Sequence, residues 1–399
     1  MGIWGMGSEN PATSTMVRRL NENLVLSIMR KHKELSRSDI QRLTSLTYPT
    51  VSKAIASLLE QGLLIESGEG ESRGGRRPRL VRFDADSGLL AGVEVDKSRI
   101  RFGGFSLDYQ LVAKCTLPLP DTNPETVRSR IVNGVTRIKA EAGEERTLYG
   151  VGIGCPGMVH PKTGRIISRS TLRWAEPVDI AEEVSQWLEV PVFIDNDINI
   201  AALGEMFTAR REELESWAYI SVATGVGSGI VLNRQILRGF AGGAGELGHV
   251  SVNHKGAVCS CGSRGCLENY ISSPAISQRL GIDGDYSECF RILRSRVKAQ
   301  DAEAVEIYRE TVDYLAIAII SILNLLNPFA VIIGGEILDL GQQFLEDLRR
   351  EVAKGCGNVQ FDCQQLVFSE LGVDAGLYGG AVLTDQSIFA SPQLEAEIK

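Results

Sequence analysis

Three features of the sequence predict an α/β protein that combines a small basic head with a larger, two-lobed body. Charge is uneven, because residues 1–83 carry 13 Lys and Arg against 8 Asp and Glu, whereas the rest carries 29 against 42. Beyond residue 84, extended and helical patterns alternate, as in α/β folds. A strand followed by a Gly-rich turn occurs twice, near residues 89–102 and 219–232, which indicates two similar lobes.

Composition and cysteine usage narrow the class of protein. At 399 residues, with 43% hydrophobic and 23% charged residues, the chain has room for two or three well-packed globular domains. No stretch approaches the about 20 uninterrupted apolar residues of a membrane span, and Met1–Met16 lacks a secretory-signal pattern. Three of eight Cys crowd into residues 259–266, which favours metal binding in a reducing compartment. We therefore expect a cytoplasmic protein with no membrane partner.

The first 83 residues predict a flexible arm, residues 1–16, and a winged helix-turn-helix domain, residues 17–83. Apolar residues at helical spacing, capping side chains and the stop at Gly62 define its elements. The predicted helices are Met16–Lys33, a short helix from Ser36 or Ser38 to Leu43, and about Pro49–Gln61; the predicted strands are Leu63–Glu66 and Leu80–Phe83.

The third helix and the hairpin after it carry the candidate DNA contacts. In this motif, the N-terminal residues of the third helix meet base edges in the major groove, and Arg side chains of a wing enter the minor groove. A solvated Arg-rich linker is the alternative for the wing. The candidate DNA-binding residues are Ser38, Thr47, Tyr48, Thr50, Ser52, Lys53, Arg73, Arg76, Arg77 and Arg79.

The body, residues 84–399, carries the alternating elements. Predicted strands are Leu89–Val95, Gly150–Ile153, Val192–Ile194, Ala218–Val222 and Val331–Ile333. Predicted helices are Pro124–Ala142, Ile180–Trp187, Ile198–Met206 and Ala302–Asn327.

Four segments make the chain resemble the ROK family of repressors, open reading frames and kinases: Gly92–Arg99, Ile194–Glu205, Ala223–Gly229 and Asn327–Glu336. The resemblance runs from about Val17 to Leu383 and is strongest to the branch that includes xylose and N-acetylglucosamine repressors. It implies a two-lobed, actin-like ATPase fold with a sugar bound in the cleft between the lobes. It also implies a zinc knuckle over residues 249–266.

One of these segments departs from the kinase pattern. Where kinases of this type place two glycines after the first strand, this chain has Asp96 and Lys97. Their side chains fill the space where backbone should approach a phosphate, and Asp96 adds like-charge repulsion. Because phosphoryl transfer depends on close positioning, we expect no meaningful kinase activity.

The resemblance places five residues in the sugar pocket: Asn196, Asp197, Glu246, His249 and Glu268. Carboxylates and amides suit a ring of hydroxyl groups because they accept and donate paired hydrogen bonds. Asp197 corresponds to the catalytic base of a kinase and is vestigial if catalysis is lost. The alternative for Asp197 is a helix cap.

The metal motif comprises His249, Cys259, Cys261 and Cys266. Three thiolates and one imidazole make a closed tetrahedral site, typical of structural Zn²⁺. His254 is a competing ligand, but the resemblance selects His249. We expect one zinc ion per chain.

The segment Ser170–Trp174 departs from many relatives, which have Pro-Asn-Leu before the Trp. A sugar-contacting Asn is thereby missing, and Arg169 and Arg173 flank the position. A phosphorylated or acidic sugar is therefore a hypothesis for the effector.

Together these patterns predict a sugar-responsive repressor that binds operator DNA. Paired half-sites favour a homodimer, with a tetramer also open. The alternatives are an active sugar kinase with an appended DNA-binding head, and a regulator whose body docks a protein partner.

Overall fold

The computed structural model describes residues 14–70, 77–168, 171–205, 215–282, 286–357 and 361–389. Within these residues, the head contains three helices and an antiparallel sheet of order β1-β3-β2. Its elements are α1 (Ser14–Lys31), β1 (Leu35–Ser36), α2 (Arg37–Thr44), α3 (Tyr48–Glu60), β2 (Leu64–Glu69) and β3 (Arg79–Phe83). The predicted winged helix-turn-helix is confirmed, although α1 begins two residues before the predicted start. Most of the predicted arm, residues 1–13, lies outside the described residues.

Local chemistry sets the helix ends in the head. Ser36, not Ser38, caps α2: its hydroxyl accepts from the Asp39 backbone N–H at 3.2 Å, and the Asp39 carboxylate accepts from the Ser36 N–H at 3.3 Å. This reciprocal capping box satisfies two otherwise unpaired donors. Gly62 follows α3 with a φ of 73°, which glycine adopts at low cost. Ser38 is consequently left on the exposed side of α2.

The first lobe is built on a five-stranded sheet of order β11-β7-β4-β5-β6. Its elements are β4 (Gly88–Val95), β5 (Arg99–Phe105), β6 (Leu111–Pro118), α4 (Pro124–Ala142), β7 (Thr147–Cys155), α5 (Ala181–Leu188) and β11 (Val192–Asn196). A small antiparallel sheet comprises β8 (Met158–Val159), β9 (Ile166–Ser168) and β10 (Trp174–Val178). Sequence periodicity did not predict this small sheet.

The second lobe carries a sheet of order β14-β13-β12-β15-β16. Its strands are β12 (Trp217–Val222), β13 (Val226–Leu232), β14 (Gln235–Ile236), β15 (Ala330–Gly334) and β16 (Leu366–Phe368). Its helices are α7 (Glu268–Ile271), α8 (Ser273–Leu280), α9 (Cys289–Lys298), α10 (Ala302–Leu326) and α11 (Gln342–Gly355). Two further helices lie between the sheets: α6 (Asp197–Gly204) and α12 (Ala375–Phe389).

The two large sheets share one topology. In each, three consecutive strands form an antiparallel meander, β4-β5-β6 or β12-β13-β14, and two further strands add in parallel beside the first of them. The repeat predicted from the paired Gly-rich turns is therefore confirmed, as is the actin-like, two-lobed α/β fold. The β4–β5 turn and the β12–β13 turn therefore occupy equivalent places in the two sheets.

Glycines let α12 pack at backbone distance against both the first sheet and α6. A Cβ atom on Gly92 of β4 would lie 1.9 Å from the Leu377 carbonyl oxygen, and one on Gly152 of β7 would lie 1.9 Å from that of Gly380. Because packing this close leaves no free space, α12 and the elements beside it can move together or slide past one another, but they cannot separate without losing the contact. In the described part of the chain, no helix has the length and apolarity to cross a membrane.

Candidate functional site

The metal motif forms one compact cluster. The ligand atoms of His249, Cys259, Cys261 and Cys266 all lie within 4.8 Å of one another. The Sγ atoms of Cys261 and Cys266 are 3.7 Å apart, and Cys259 Sγ is 3.7 Å from His249 Nδ1. Zn–S and Zn–N bonds of about 2.3 and 2.0 Å in a tetrahedron require edges of about 3.5–3.8 Å. The four donors therefore fit a tetrahedral metal ion.

The loop around the cluster needs glycine. Gly265 has a φ of 66°, and a Cβ atom there would lie 1.7 Å from the Asn253 carbonyl oxygen. Burial disfavours ionisation of the Cys259 thiol, but hydrogen bonds from Cys261, Cys266 and His249 outweigh it and lower the pKa of Cys259 to about 7. Burial and hydrogen bonds with the other two thiols raise the pKa of Cys266, so in the absence of a metal ion the negative charge is held mainly on Cys259. Thiolate formation is the condition for metal binding. His254, the competing candidate, is not part of the cluster.

The cluster orients a residue of the predicted sugar pocket. With Nδ1 of His249 facing Cys259, its Nε2 faces the Glu246 carboxylate at 4.0 Å. A metal ligand commonly has its second ring nitrogen held towards a carboxylate, which settles the tautomer and ring orientation. The pair is about half exposed, so its polar atoms face accessible space.

Three predicted pocket segments converge on the β12–β13 turn at Val226 and Gly227. The Val226 N–H donates to Glu268 Oε2 at 3.0 Å. A Cβ atom on Gly248 would lie 2.1 Å from the Val226 carbonyl oxygen, and one on Gly227 would lie 3.3 Å from the Ile198 side chain. Ile198, Gly248 and Glu268, one residue from each predicted pocket segment, thus meet at one turn.

Asp197 was considered both as a pocket residue and as a helix cap, and the structure assigns the cap to its neighbour Asn196. The helix cap is Asn196: its Oδ1 accepts from the backbone N–H groups of Ile198 and Asn199 at 2.9 and 3.2 Å. Its Nδ2 donates to the Gly157 carbonyl oxygen at 2.9 Å. The cap interpretation of Asp197 is therefore wrong, because its neighbour performs that task.

The Asp197 carboxyl group lies in a strongly acidic environment. Burial, followed by repulsion from Glu94, raises the pKa of Asp197 to about 7, although backbone hydrogen bonds from Ile198 and from Asp197 itself oppose the shift. Asp96 adds a weaker repulsion. The Asp197 carboxyl group therefore lies near the acidic side chains of Glu94 and Asp96, and its pKa is raised to about 7.

A buried ion pair beside these residues was not predicted from the sequence. Asp195, at 3% side-chain exposure, accepts from Arg238 Nε at 2.7 Å. Its other oxygen accepts from the Asn196 N–H at 2.7 Å and from Asn199 Nδ2 at 3.0 Å. Arg238 belongs to the loop that leads to Glu246, so the pair holds that loop against the Asn196–Asp197 segment. The pair also borders a cleft of about 410 Å³ that His160 lines.

The β4–β5 turn, where the resemblance to kinases would place the first phosphate loop, is a closed β-hairpin turn. The Asp96 N–H donates to the Arg99 carbonyl oxygen at 2.9 Å. The Lys97 N–H donates to the Asp96 carboxylate at 2.6 Å, so the chain itself occupies a donor that a phosphate would need. Asp96 Oδ2 also lies 3.9 Å from Arg99 Nε.

The Asn327–Glu336 and Ser170–Trp174 segments are less informative. Gly335 has a φ of 86°, and a Cβ atom there would lie 2.5 Å from the Val222 carbonyl oxygen, so the segment connects tightly to β12. Arg173 is exposed with a φ of 60°, while Trp174 is buried and donates to the Thr122 carbonyl oxygen at 2.6 Å. Arg169 lies outside the described residues.

The head presents most of its predicted DNA contacts to solvent. Tyr48 is 48% exposed, and Thr47 and Lys53 are exposed beside it, while the Thr47 and Thr50 hydroxyls lie 2.8 Å apart. Ser52 is half-buried on the same helix. In the wing, Arg77 is exposed and Arg79 pairs with Glu66 at 3.4 Å, while Arg73 and Arg76 lie outside the described residues.

Comparison with known proteins yields three kinds of match. The model of the ROK family matches residues 90–387. A xylose repressor from Caldicellulosiruptor bescii is 29% identical over 394 residues, covering 95% of this chain and 98% of the relative. A glucokinase from Halalkalibacterium halodurans is 30% identical over 316 residues, covering 74% of this chain and 94% of the relative.

A solved structure shares the fold over nearly the whole chain. It is the crystal structure of a ROK family transcriptional regulator, a homolog of the Escherichia coli MLC protein. It matches with a TM-score of 0.78 at 21% identity, covering 94% of this chain and 97% of that chain. On the match to the family model and the order of the segments described above, the chain belongs to the ROK family.

Proposed function

We propose that this chain is a cytoplasmic, sugar-responsive transcriptional repressor that acts as a homodimer. The observation that carries the proposal is the winged helix-turn-helix in front of a ROK body. The repressor relative spans 95% of the chain, whereas the glucokinase spans 74%. A chain that reads chromosomal DNA works in the cytoplasm, and paired half-sites call for two heads.

In this proposal, α3 lies in the major groove and the wing contacts the neighbouring minor groove. The exposed side chains at the start of α3 are short hydroxyl groups, one Tyr and one Lys, which can reach base edges or phosphates. The acidic body cannot take part, because its net charge of −13 repels the DNA backbone. DNA binding therefore falls to the head, whose net charge is +5.

We assign the sugar to the cleft at the β12–β13 turn. Asp197, Glu246 and Glu268 would accept hydrogen bonds from ring hydroxyls, and His249 would donate from Nε2. Asn196 can contribute only its second Nδ2 hydrogen, because its Oδ1 serves the helix cap and its first Nδ2 hydrogen is donated to the Gly157 carbonyl oxygen. Arg169 and Arg173, which flank the position of the missing Asn in the sequence, support a phosphorylated or acidic sugar as the effector.

The ion that fits the Cys3His cluster is Zn²⁺, in a structural role. A bound zinc ion would hold three thiolates and an imidazole without offering an open coordination position. His249 and Glu268, two residues after Cys266, would then be fixed before a ligand arrives. Mass spectrometry under native conditions should show one zinc per chain.

Phosphoryl transfer is not part of the proposed function. The Asp96 carboxylate occupies the Lys97 N–H and would repel a triphosphate, while the cleft retains its hydroxyl-binding groups. Recognition of a sugar without turnover is what a sensor requires. Purified protein given ATP and common pentoses or hexoses should release no ADP at enzymatic rates.

A DNA-binding assay with and without sugars tests the proposal. Duplex DNA from upstream of the gene should shift in a gel at low salt, and one of D-xylose, D-glucose, N-acetyl-D-glucosamine or their phosphates should change the affinity. Size-exclusion chromatography with light scattering should give twice the chain mass. A chain that binds no duplex at low salt, or that turns over ATP rapidly with a sugar, contradicts the proposal and favours the kinase alternative.

A further inference from the structure

A buried bidentate ion pair joins the head to the body. Arg30 of α1 donates from Nη1 and Nη2 to the two carboxylate oxygens of Asp385 on α12, at 2.9 and 2.7 Å. The two side chains are 21% and 11% exposed. Paired hydrogen bonds between a guanidinium group and a carboxylate set the orientation of both partners. The pair therefore fixes how α1 lies on α12.

Other side chains enclose this ion pair. The Arg30 guanidinium carbon lies 5.3 Å from the ring centroid of Phe83 in the wing strand and 5.1 Å from that of Phe389 on α12. The Tyr109 hydroxyl hydrogen-bonds both members of the pair. The head contributes Arg30 and Phe83, and the body contributes Asp385, Tyr109 and Phe389. We call these five residues the joint.

Apolar packing around the joint is continuous but not directional. Met29 of α1 and Leu377 and Ala381 of α12 belong to one buried cluster that spans head and body. Apolar contacts resist separation but allow neighbouring surfaces to slide, because burial is rewarded at any orientation. The ion pair is thus what makes the position of the head depend on the position of α12.

The same helix lies in backbone contact with the proposed sugar segment. A Cβ atom on Gly379 would lie 1.7 Å from the Ile200 carbonyl oxygen of α6, and one on Gly204 would lie 2.1 Å from that of Ala375. The first residue of α6 is Asp197. Any displacement of α6 must therefore be taken up by α12, either as a joint movement or as sliding along it.

We propose that Arg30 and Asp385 are the positioning residues that transmit sugar binding in the cleft to the DNA-binding head. The inference rests on the proposed function. A sugar that holds Asp197 selects one arrangement of α6 on α12, and the joint converts that arrangement into one placement of the head. A ligand can shift this equilibrium only through different affinities for the two arrangements. Removing the pair leaves both binding surfaces in place but uncouples them.

The test compares DNA affinity with and without sugar in full-length variants. In the wild type, saturation with the sugar found active in the gel assay should change the DNA dissociation constant by about 5- to 150-fold. In Asp385→Asn and in Arg30→Lys, this ratio should fall to about 1, while calorimetry gives a sugar dissociation constant within about threefold of wild type. Asp385→Glu, which keeps the carboxylate, should recover part of the ratio.

A matched control and a second readout keep coupling separate from stability. Arg128, with a side chain 16% exposed, pairs with Glu183 at 2.9 Å within the first lobe, so Arg128→Lys should leave the ratio unchanged. Hydrogen–deuterium exchange of α1 should respond to sugar in the wild type and in Arg128→Lys, but not in Asp385→Asn.

The inference is overturned if Asp385→Asn and Arg30→Lys keep the wild-type ratio, or if they lose sugar binding together with it, since the pair would then serve only folding. A wild-type chain that binds DNA but ignores every sugar instead contradicts the proposed function. The two failures are therefore distinguishable in one set of measurements.

Discussion

The β4–β5 turn of the first lobe and the β12–β13 turn of the second occupy equivalent places in a repeated sheet, yet only the second keeps its glycines. In the second lobe, Gly225 precedes Val226, whose N–H is held by Glu268. In the first lobe, Asp96 accepts from the next N–H in the chain and closes the turn on itself. Equivalent places in the repeat thus carry a turn without glycine in the first lobe and, in the second, a turn whose backbone N–H contacts Glu268.

The two turns also differ in what supports them. The first is held by hydrogen bonds within residues 96–99 and by the Leu119 N–H, which donates to the Ser98 carbonyl oxygen at 2.8 Å. The second depends on Glu268, which follows the cysteine cluster. Disturbing the metal site should therefore damage the second turn and spare the first.

The largest expected effect comes from removing the metal. Cys266→Ser, or a chelator, should abolish zinc binding and weaken sugar binding by about 10- to 100-fold or more, because Glu268 and His249 lose their support. Zinc content by mass spectrometry and sugar affinity by calorimetry report the two effects. Cys356→Ser, at a half-buried thiol outside the cluster, is the control and should change neither. A Cys266→Ser chain that keeps full sugar affinity would separate the second turn from the metal.

The second-largest expected effect comes from replacing the Asp197 carboxyl group. Asp197→Asn should weaken sugar binding about tenfold or more, since a hydrogen-bond acceptor becomes part donor. It should also change stability in a pH-dependent way. The pKa of Asp197 is about 7 in the folded chain, against 3.8 for an Asp side chain in an unfolded chain, so ionisation destabilises the fold as pH rises through that window.

Comparing the stability of Asp197→Asn with that of the wild type at low and high pH tests the sign of this effect. Below pH 3.8 the carboxyl group is protonated in both states, and the variant should gain nothing. Above pH 7 the variant should be more stable by at most about 4 kcal/mol, the equivalent of three pKa units. Melting temperatures at pH 4 and pH 8 measure the difference. A gain at pH 4 that vanishes at pH 8 would contradict the assignment.

A smaller effect should follow from making the first turn resemble the second. Asp96→Gly combined with Lys97→Gly frees the backbone and removes the repulsion, so nucleotide affinity should rise about tenfold, or about 1.4 kcal/mol. Lys97→Gly alone leaves the Asp96 carboxylate in place and should show no gain. Fluorescence titration with a nucleotide analogue distinguishes them. Equal binding by both variants would show that Asp96 is not the obstacle.

The smallest expected effect is the reverse change in the second turn. A Cβ atom on Gly225 would lie 3.3 Å from Glu268 Oε2, so the neighbour must yield by only a few tenths of an ångström. Gly225→Ala should therefore weaken sugar binding by about 0.5–1 kcal/mol, and calorimetry can resolve it. Gly357→Ala, where a Cβ atom meets nothing within 4 Å, is the control and should have no effect.

Sequence reasoning succeeded where signals are local. Helix α4 runs from Pro124 to Ala142 as predicted, because Asn123 caps it, Pro124 opens it and Gly143 ends it. The metal cluster was predicted as a complete ligand set, since its thiols are close along the chain and only His249 had to be chosen by resemblance. Both cases depend on short-range chemistry.

It failed where tertiary packing decides. Helix α12 contains Gly376, Gly379 and Gly380 and has no polar face to reveal a helical period, because most of it is buried against other backbone. The Asp195–Arg238 pair joins residues 43 positions apart, which no periodicity can detect. Whether Asn196 or Asp197 caps α6 depends on the one residue at which the helix begins, and composition does not specify that residue.

The glycine contacts along α12 also set terms for engineering. At Gly92, Gly152 and Gly379 two backbones are in contact, so even the methyl group of an alanine would force the packed layers apart. In a library of variants at these positions, most members would misfold rather than show an altered ligand preference. Biosensor design on this scaffold should therefore keep those positions constant and vary Phe240, whose side chain is fully exposed. Gly242 and Gly245 beside it should also stay unchanged, because a Cβ atom at either would lie 2.1 Å from a backbone carbonyl oxygen.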